Sequence, residues 1–155
     1  MFRVLKEDSL CLTFYGWNQA DLFLDAYRAA GFRIVGHIAF RKQYAASSRY
    51  LRYQHEVAYL LAKGDAPLPD NPPSDVADWA YTGNRLHPTQ KPVSVLKPFI
   101  EAYCPQGGIV LDPFGGSGTT ALVARRHGRR SVLIELNEEY CELAAVRLSQ
   151  QSLFA

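Results

Sequence analysis

Long apolar runs are missing from this 155-residue chain. That excludes a sequence-evident membrane-spanning helix, which needs about 20 predominantly apolar residues. Cysteine is scarce: Cys11, Cys104 and Cys141 lie far apart, with no CxxC and no Cys/His pair at zinc spacing. Neither a disulfide framework nor a zinc site is expected, and the three read as small core hydrophobes in a reducing compartment. No basic-then-apolar leader opens the chain, so a cytoplasmic protein without membrane or metal is expected. A strong charge of one sign is also missing. The net charge of +2 is too mild to argue for a nucleic-acid partner, unless the charge is locally concentrated. There is no internal repeat. What is present is ordinary for one globular domain: 48% hydrophobic and 21% charged residues, enough for a real core.

The pattern along the chain alternates strands and helices. "SLCLTFYG" reads as a buried strand, and "NQADLFLDAYRAAG" as a helix with Asn18 as N-cap and Gly31 past its end. "FRIVGHIAFRK" and "EVAYLLAKG" are further strands, joined without a clear helix and so expected to be antiparallel. "GDAPLPDNPPSD", residues 64–75, is a loop. "TQKPVSVLKPFIEAYC" reads as a helix, with Pro92 in its first turn and Pro98 kinking it or marking its true start. Then follow strand "GIVLD", helix "GTTALVARRHG", strand "RSVLIEL" and helix "NEEYCELAAVRLSQQ". Such a strand–helix–strand–helix run implies parallel strands with right-handed crossovers. The expectation is one α/β domain over 1–155 with a mixed sheet and helices on both faces. It divides into 1–63, a short loop or recognition segment 64–86, and a half at 87–155 that carries the ligand turn.

That turn is "VLDPFGGSGTTALVARRHG", Val110 to Gly128. A strand delivers the chain to the sheet's carboxyl edge, glycines permit a tight turn, and a helix begins with unpaired N–H groups and a positive dipole end. Three ligand classes compete. A nucleoside triphosphate needs Lys then Ser/Thr after the last glycine, whereas Gly118 is followed by Thr119 and Thr120. A dinucleotide fits the formal G-x-G-x-x-A match of Gly116 to Ala121, with Glu135 on ribose hydroxyls. S-adenosylmethionine asks for less: its carboxylate suits the helix N-terminus, its amino group Asp112, its ribose Glu135.

Three stretches occur in order at helix-length spacing: "HPTQKP" (His87 to Pro92), "LDPFGGSGTT" (Leu111 to Thr120) and "IELNEEYCELAAVRL" (Ile134 to Leu148). Together they resemble the C-terminal half of the circularly permuted β class of DNA amino-methyltransferases, most of which methylate adenine N6. "FRVLKEDSLCLTFYGW" and "FRIVGHIAFRK" extend the likeness over nearly the whole chain. The resemblance implies a Rossmann-like S-adenosylmethionine-dependent fold acting on double-stranded DNA, as in restriction–modification systems. It implies that Asp112, Phe114, Gly116, Gly118 and Thr119 line the methionine end and that Glu135 takes the ribose. Pro113, Ser117, Thr120 and Asn137 complete that set, and His87, Thr89, Gln90 and Lys91 close over the cofactor. One departure is Gly115, where the family usually has another small residue or Cys.

The family's chemistry rests on an Asp/Asn/Ser-Pro-Pro-aromatic tetrapeptide that takes the amine's hydrogens and stacks on the flipped base. Pro-Pro occurs once here, in "NPPS" (Asn71 to Ser74), without an aromatic and inside the loop, so no catalytic residue is assigned. "FRVLK" looks like a helix already under way at Met1, since no cap precedes it. The expectation is therefore a chain truncated at its N-terminus, whose two half-sheets either close on each other or expose edges. It would need a complementing fragment or a second copy. The alternatives are a non-catalytic cofactor- or DNA-binding remnant and a nicotinamide (NAD) oxidoreductase fragment. In "RKQYAASSRYLRYQ", Arg41, Lys42, Arg49 and Arg52 alternate with Tyr44, Tyr50 and Tyr53. This is a composition suited to phosphates and unstacked bases, and the resemblance adds Arg85.

Overall fold

The computed structural model describes residues 1–149 except Ala46, Ser48, Thr82 and 84–89. Two compact units, 1–79 and 80–155, divide the chain.

The first unit is a four-stranded sheet in the order β1-β3-β2-β4, built from β1 (Ser9–Tyr15), β2 (Arg33–Lys42), β3 (His55–Lys63) and β4 (Val76–Trp79). β3 runs antiparallel to both β1 and β2, and β4 runs parallel to β2. The interior position of β3 explains its composition. Val57, Ala58, Leu61 and Ala62 are all buried, because a central strand is covered on both faces and loses strict alternation. On one face Cys11, Phe32 and Leu61 form a core joined by Phe2, Tyr27 and Tyr59. On the other, the rings of Phe14, Phe40 and Trp79 meet at centroid distances of 5.5 to 6.2 Å.

β4 was not foreseen: its four residues "VADW" are too short to show a period. The helix α1 (Ala20–Ala29) also begins differently from expectation. A 3₁₀ turn at Trp17–Gln19 leads into it, Gln19 occupies the cap position, and no side chain caps the helix. The Gln19 N–H donates to Gly16 O at 2.9 Å instead, so Asn18 is not the N-cap. Gly31 follows the helix end with φ +96°, as expected of a helix terminator. Residues 1–8 contain turns rather than a helix; the N–H groups of Val4 and Leu5 both donate to Met1 O.

The second unit holds α2 (Val93–Tyr103), β5 (Ile109–Asp112), α3 (Thr119–Arg126), β6 (Arg130–Leu133) and α4 (Glu138–Ser149). Pro92 is the cap of α2, and the helix runs on through Pro98, which therefore does not mark its start. Arg129, 9% exposed, donates to Glu101 O and Cys104 O at the end of α2. It thereby satisfies carbonyls that the helix leaves without partners. β5 and β6 pair in parallel, as the strand–helix–strand pattern requires.

The four-stranded sheet is mixed, as expected, and β5 and β6 form a two-stranded parallel sheet. Among the described residues β1 pairs only with β3 and β5 only with β6, so both are edge strands. No helix among them is long and apolar enough to cross a membrane, and no group of three His, Cys, Asp or Glu could hold a metal.

Burial raises the Cys11 thiol above its ordinary range, and burial likewise raises the Tyr15 and Tyr27 phenols. A group whose folded pKa lies above its unfolded value stabilises below the unfolded pKa and loses that contribution as pH rises through the folded one. With thiols ordinarily near about 8.5 and phenols near about 10, the melting temperature is expected to fall progressively above pH about 8.5. Thermal melts of the protein and of Cys11→Ala at rising pH check this, the variant losing the earlier part of the decline.

Candidate functional site

The turn after β5 is held by its own side chains. Asp112, at the strand tip, accepts the Phe114 N–H through Oδ1 at 3.0 Å and the Thr120 hydroxyl through Oδ2 at 2.6 Å. Glu135, just past β6, accepts the Gly116 N–H through Oε2 at 2.8 Å. Its Oε1 accepts the N–H groups of Leu136 and Asn137 at 2.9 and 3.0 Å. One carboxylate therefore ties the glycine turn to the neighbouring strand's end, with charge-assisted bonds. Gly115 N–H adds a bond to Ile134 O at 2.9 Å.

Gly116 and Gly118 both adopt left-handed backbone, φ +48° and +79°. Gly118 is the cap residue of α3, and no side chain caps that helix. A Cβ at Gly118 would lie 2.9 Å from Ala144 Cβ. Gly118→Ala is therefore expected to destabilise by about 2 kcal/mol, combining left-handed strain with overpacking. Urea unfolding measures it. Around the turn, Phe114 is 86% exposed and Leu136 fully exposed, an aromatic and an aliphatic group open beside an uncapped helix end.

α4 contributes a residue that sequence reasoning missed. Arg147 donates from one guanidinium nitrogen to Ser117 O at 3.0 Å and Thr119 Oγ1 at 3.1 Å, with Ser117 Oγ at 3.4 Å. Burial, then the nearby Arg126 charge, lowers its pKa, though an arginine remains a cation. Ser117 and Thr119 are buried, and their hydroxyls face Arg147. Any contact they make with a ligand in this arrangement falls to the backbone. The signal in the sequence was only partial: Ala144 and Arg147 are three residues apart and share a helix face, but that Ala144 packs on Gly118 is seen only in the fold. Asn137 caps α4, its Oδ1 accepting the Glu139 N–H at 2.9 Å, so its side chain already has a structural task. Pro113 is half-buried. Gln90 and Lys91 directly precede Pro92, and Gln90 Oε1 is buried without a hydrogen-bond partner. His87, Thr89 and Arg85 lie outside the described residues.

In the first unit the basic residues separate into two kinds. Arg49, Arg52 and Tyr50 are exposed, Tyr50 to 98%. Arg41 is exposed and paired with Asp78 at 2.9 Å, a bond that raises its pKa. Tyr53 stacks on Trp17 with centroids 5.8 Å apart. Lys42 corrects the expectation of a phosphate contact. It is 7% exposed, ion-paired with Glu56, and lies 5.6 Å from the ring centres of both Tyr44 and Trp79. Its place on β2 explains this, since it shares a face with buried Ile38 and Phe40.

The DNA methylase family N6_N4_Mtase matches residues 1–146. YubD of Escherichia coli (strain K12) is 50% identical over 149 residues, 96% of this chain and 66% of YubD. The Type II methyltransferase M2.DpnII of Streptococcus pneumoniae is 31% identical over 148 residues, 82% of this chain and 55% of that protein. The chain thus spans about two thirds or less of these curated relatives' lengths. Among solved structures, an M1.HpyAVI–SAM complex superposes with a TM-score of 0.79 at 25% identity, over 94% of this chain and 76% of that one. The PvuII cytosine-N4-specific DNA methyltransferase has the same α/β fold, with a TM-score of 0.77 at 19% identity over 92% and 64%. With nearly its whole length matched, this chain belongs to the N6_N4_Mtase family of DNA methylases.

Proposed function

We propose that this chain is the cofactor- and DNA-binding part of an S-adenosylmethionine-dependent DNA amino-methyltransferase acting on adenine N6. The observation that carries the reading is the uncapped N-terminus of α3, set between two carboxylates, Asp112 and Glu135, with Phe114 exposed beside it. The residues fit the cofactor. The helix end suits its carboxylate, and Asp112, with one hydrogen bond on each oxygen, keeps acceptor capacity for its amino group. Glu135 would take the ribose hydroxyls, and Phe114 offers an apolar face to the remainder. When bound, S-adenosylmethionine supplies an electrophilic methyl group. The chain's own part is to orient the donor and exclude water around it.

What accepts the hydrogens of the attacked amine is a separate matter. Pro72-Pro73 is the chain's only Pro-Pro, with Asn before it and Ser after, so no ring follows to stack on a base. We place that group on a polypeptide segment outside this sequence, since a second copy would repeat the same Asn-Pro-Pro-Ser. The open edges of β1 and β5 support this, as do exposed Ile109, Val132 and Ile134 on and beside a parallel pair, since such sheets are ordinarily covered. Arg49, Tyr50 and Arg52 are the proposed DNA contacts, and residues 64–86, with exposed Leu68 and Tyr81, the target-recognition segment.

Calorimetric titration with S-adenosylhomocysteine tests the cofactor, with NAD as control. Heat with the first alone is expected; none with either S-adenosyl compound, in a demonstrably folded protein, overturns the reading. Labelled methyl transfer to adenine- or cytosine-only target DNA tests the rest. Transfer to adenine is expected only with the complementing segment present, and turnover by this chain alone overturns the second-segment requirement.

A further inference from the structure

The glycine turn of the second unit is held from behind by α4. Ala144 is buried against Gly118, and Arg147, one turn further along, shares its helix face. From one guanidinium nitrogen Arg147 donates to Ser117 O at 3.0 Å, Thr119 Oγ1 at 3.1 Å and Ser117 Oγ at 3.4 Å. All three acceptors belong to the residues flanking Gly118, the cap of α3. No side chain caps that helix, so its first N–H groups are left for a ligand.

The charge on Arg147 has no counter-ion in the second unit. No carboxylate among the described residues lies within ion-pairing distance of it. Burial disfavours its charged form, and the nearby Arg126 charge does so too. A half-buried guanidinium bonded to carbonyl and hydroxyl oxygens therefore leaves net positive charge behind the turn. It adds to the positive end of the α3 dipole, which by itself supplies only about half an elementary charge. Asp112 and Glu135 stand at the same turn with the opposite sign. Without Arg147, an incoming carboxylate would meet two anions and the partial charge of one helix end.

We infer that Arg147 is a positioning residue for the cofactor: it fixes the backbone of Ser117 and Thr119 and supplies the positive charge that lets this turn accept the donor's carboxylate. The inference rests on the cofactor part of the proposed function. It assigns to α4 a task that neither the helix end nor the two carboxylates perform.

Two ligands separate this role from a merely structural one. S-adenosylhomocysteine carries the carboxylate, whereas its decarboxylated form keeps the adenosine, the thioether and the amine. Calorimetric titration of the full chain with each is the experiment. Arg147→Met is expected to weaken S-adenosylhomocysteine about tenfold and to leave the decarboxylated form within about twofold, the order of a charge acting at a partly buried helix end. Arg147→Lys should recover most of the loss, because all three contacts come from one nitrogen and an ammonium brings three donors. Arg147→Gln keeps an N–H donor without the charge, so it should behave like Arg147→Met and carries the test if the latter does not fold. Equal losses with both ligands make Arg147 a structural strut and overturn the inference. Unchanged S-adenosylhomocysteine affinity, or recovery by Gln as complete as by Lys, overturns it as well, with cofactor binding by the unaltered chain still standing. Absence of heat with both ligands in the folded, unaltered chain instead overturns the cofactor reading itself.

Discussion

Glu135→Ala is expected to reduce affinity for S-adenosylhomocysteine by roughly tenfold to a hundredfold and to lower stability as well. Two losses follow. The ribose loses its proposed acceptor, and the glycine turn loses the carboxylate that anchors it to the end of β6. The N–H groups of Leu136 and Asn137 are exposed and can turn to water, whereas the Gly116 bond is partly buried. Hydrogen bonds to a charged group contribute about 1.5–3 kcal/mol each; the Gly116 bond exists without ligand, so its loss counts toward stability, and the affinity change is that of one ribose bond. With tenfold in affinity per about 1.4 kcal/mol, the stated range follows. Glu135→Gln separates the contributions. It keeps one acceptor oxygen but replaces the other with an NH₂ that must face an N–H donor, so part of the affinity returns. Calorimetric titration of the three proteins is the measurement, with melting temperature followed in parallel. Unchanged affinity in Glu135→Ala would leave the carboxylate a purely structural strap and remove the ribose assignment.

The parts of this site that were legible in the sequence are those made by local chain chemistry. Gly116 and Gly118 announce left-handed backbone, Asp112 and Glu135 fall at the ends of short apolar strands, and the spacing between them is one helix. Parallel pairing of β5 with β6 and antiparallel pairing of β2 with β3 follow from the same local signals. Non-local contacts were harder to read. Lys42 looks like any basic residue at a strand end until β2 is read with period two, which puts it in line with Ile38 and Phe40. Arg147 looks like a solvated helix arginine until Ala144, one turn earlier, is paired with Gly118. β4 has no such signal, because four residues define no period and its partner β2 lies far back in the chain. The division into two sheets was legible only as one of two outcomes, since edge pairing depends on strands that local sequence does not specify.

Lys42→Met is expected to destabilise the protein by about 2 kcal/mol and to leave the salt dependence of DNA binding unchanged. Removing one partner of a buried ion pair leaves the other charge uncompensated, ordinarily costing about 3–5 kcal/mol. Here Glu56 keeps 33% of its side chain exposed, so water recovers part of that cost, and the lower figure applies. The double variant Lys42→Met with Glu56→Leu should return close to the parent's stability. An apolar pair of similar size needs no mutual neutralisation beside the rings of Tyr44 and Trp79. Urea unfolding of the four proteins gives the cycle, and a coupling energy of about 1–3 kcal/mol is expected for residues in direct contact. A phosphate-binding lysine would behave in the opposite way. Its loss would cost little stability and would lower the salt slope by about 1, the result expected for Arg49→Ala. The two substitutions, in one stretch of alternating basic and aromatic residues, thus separate what burial has committed to the fold from what exposure leaves for a ligand.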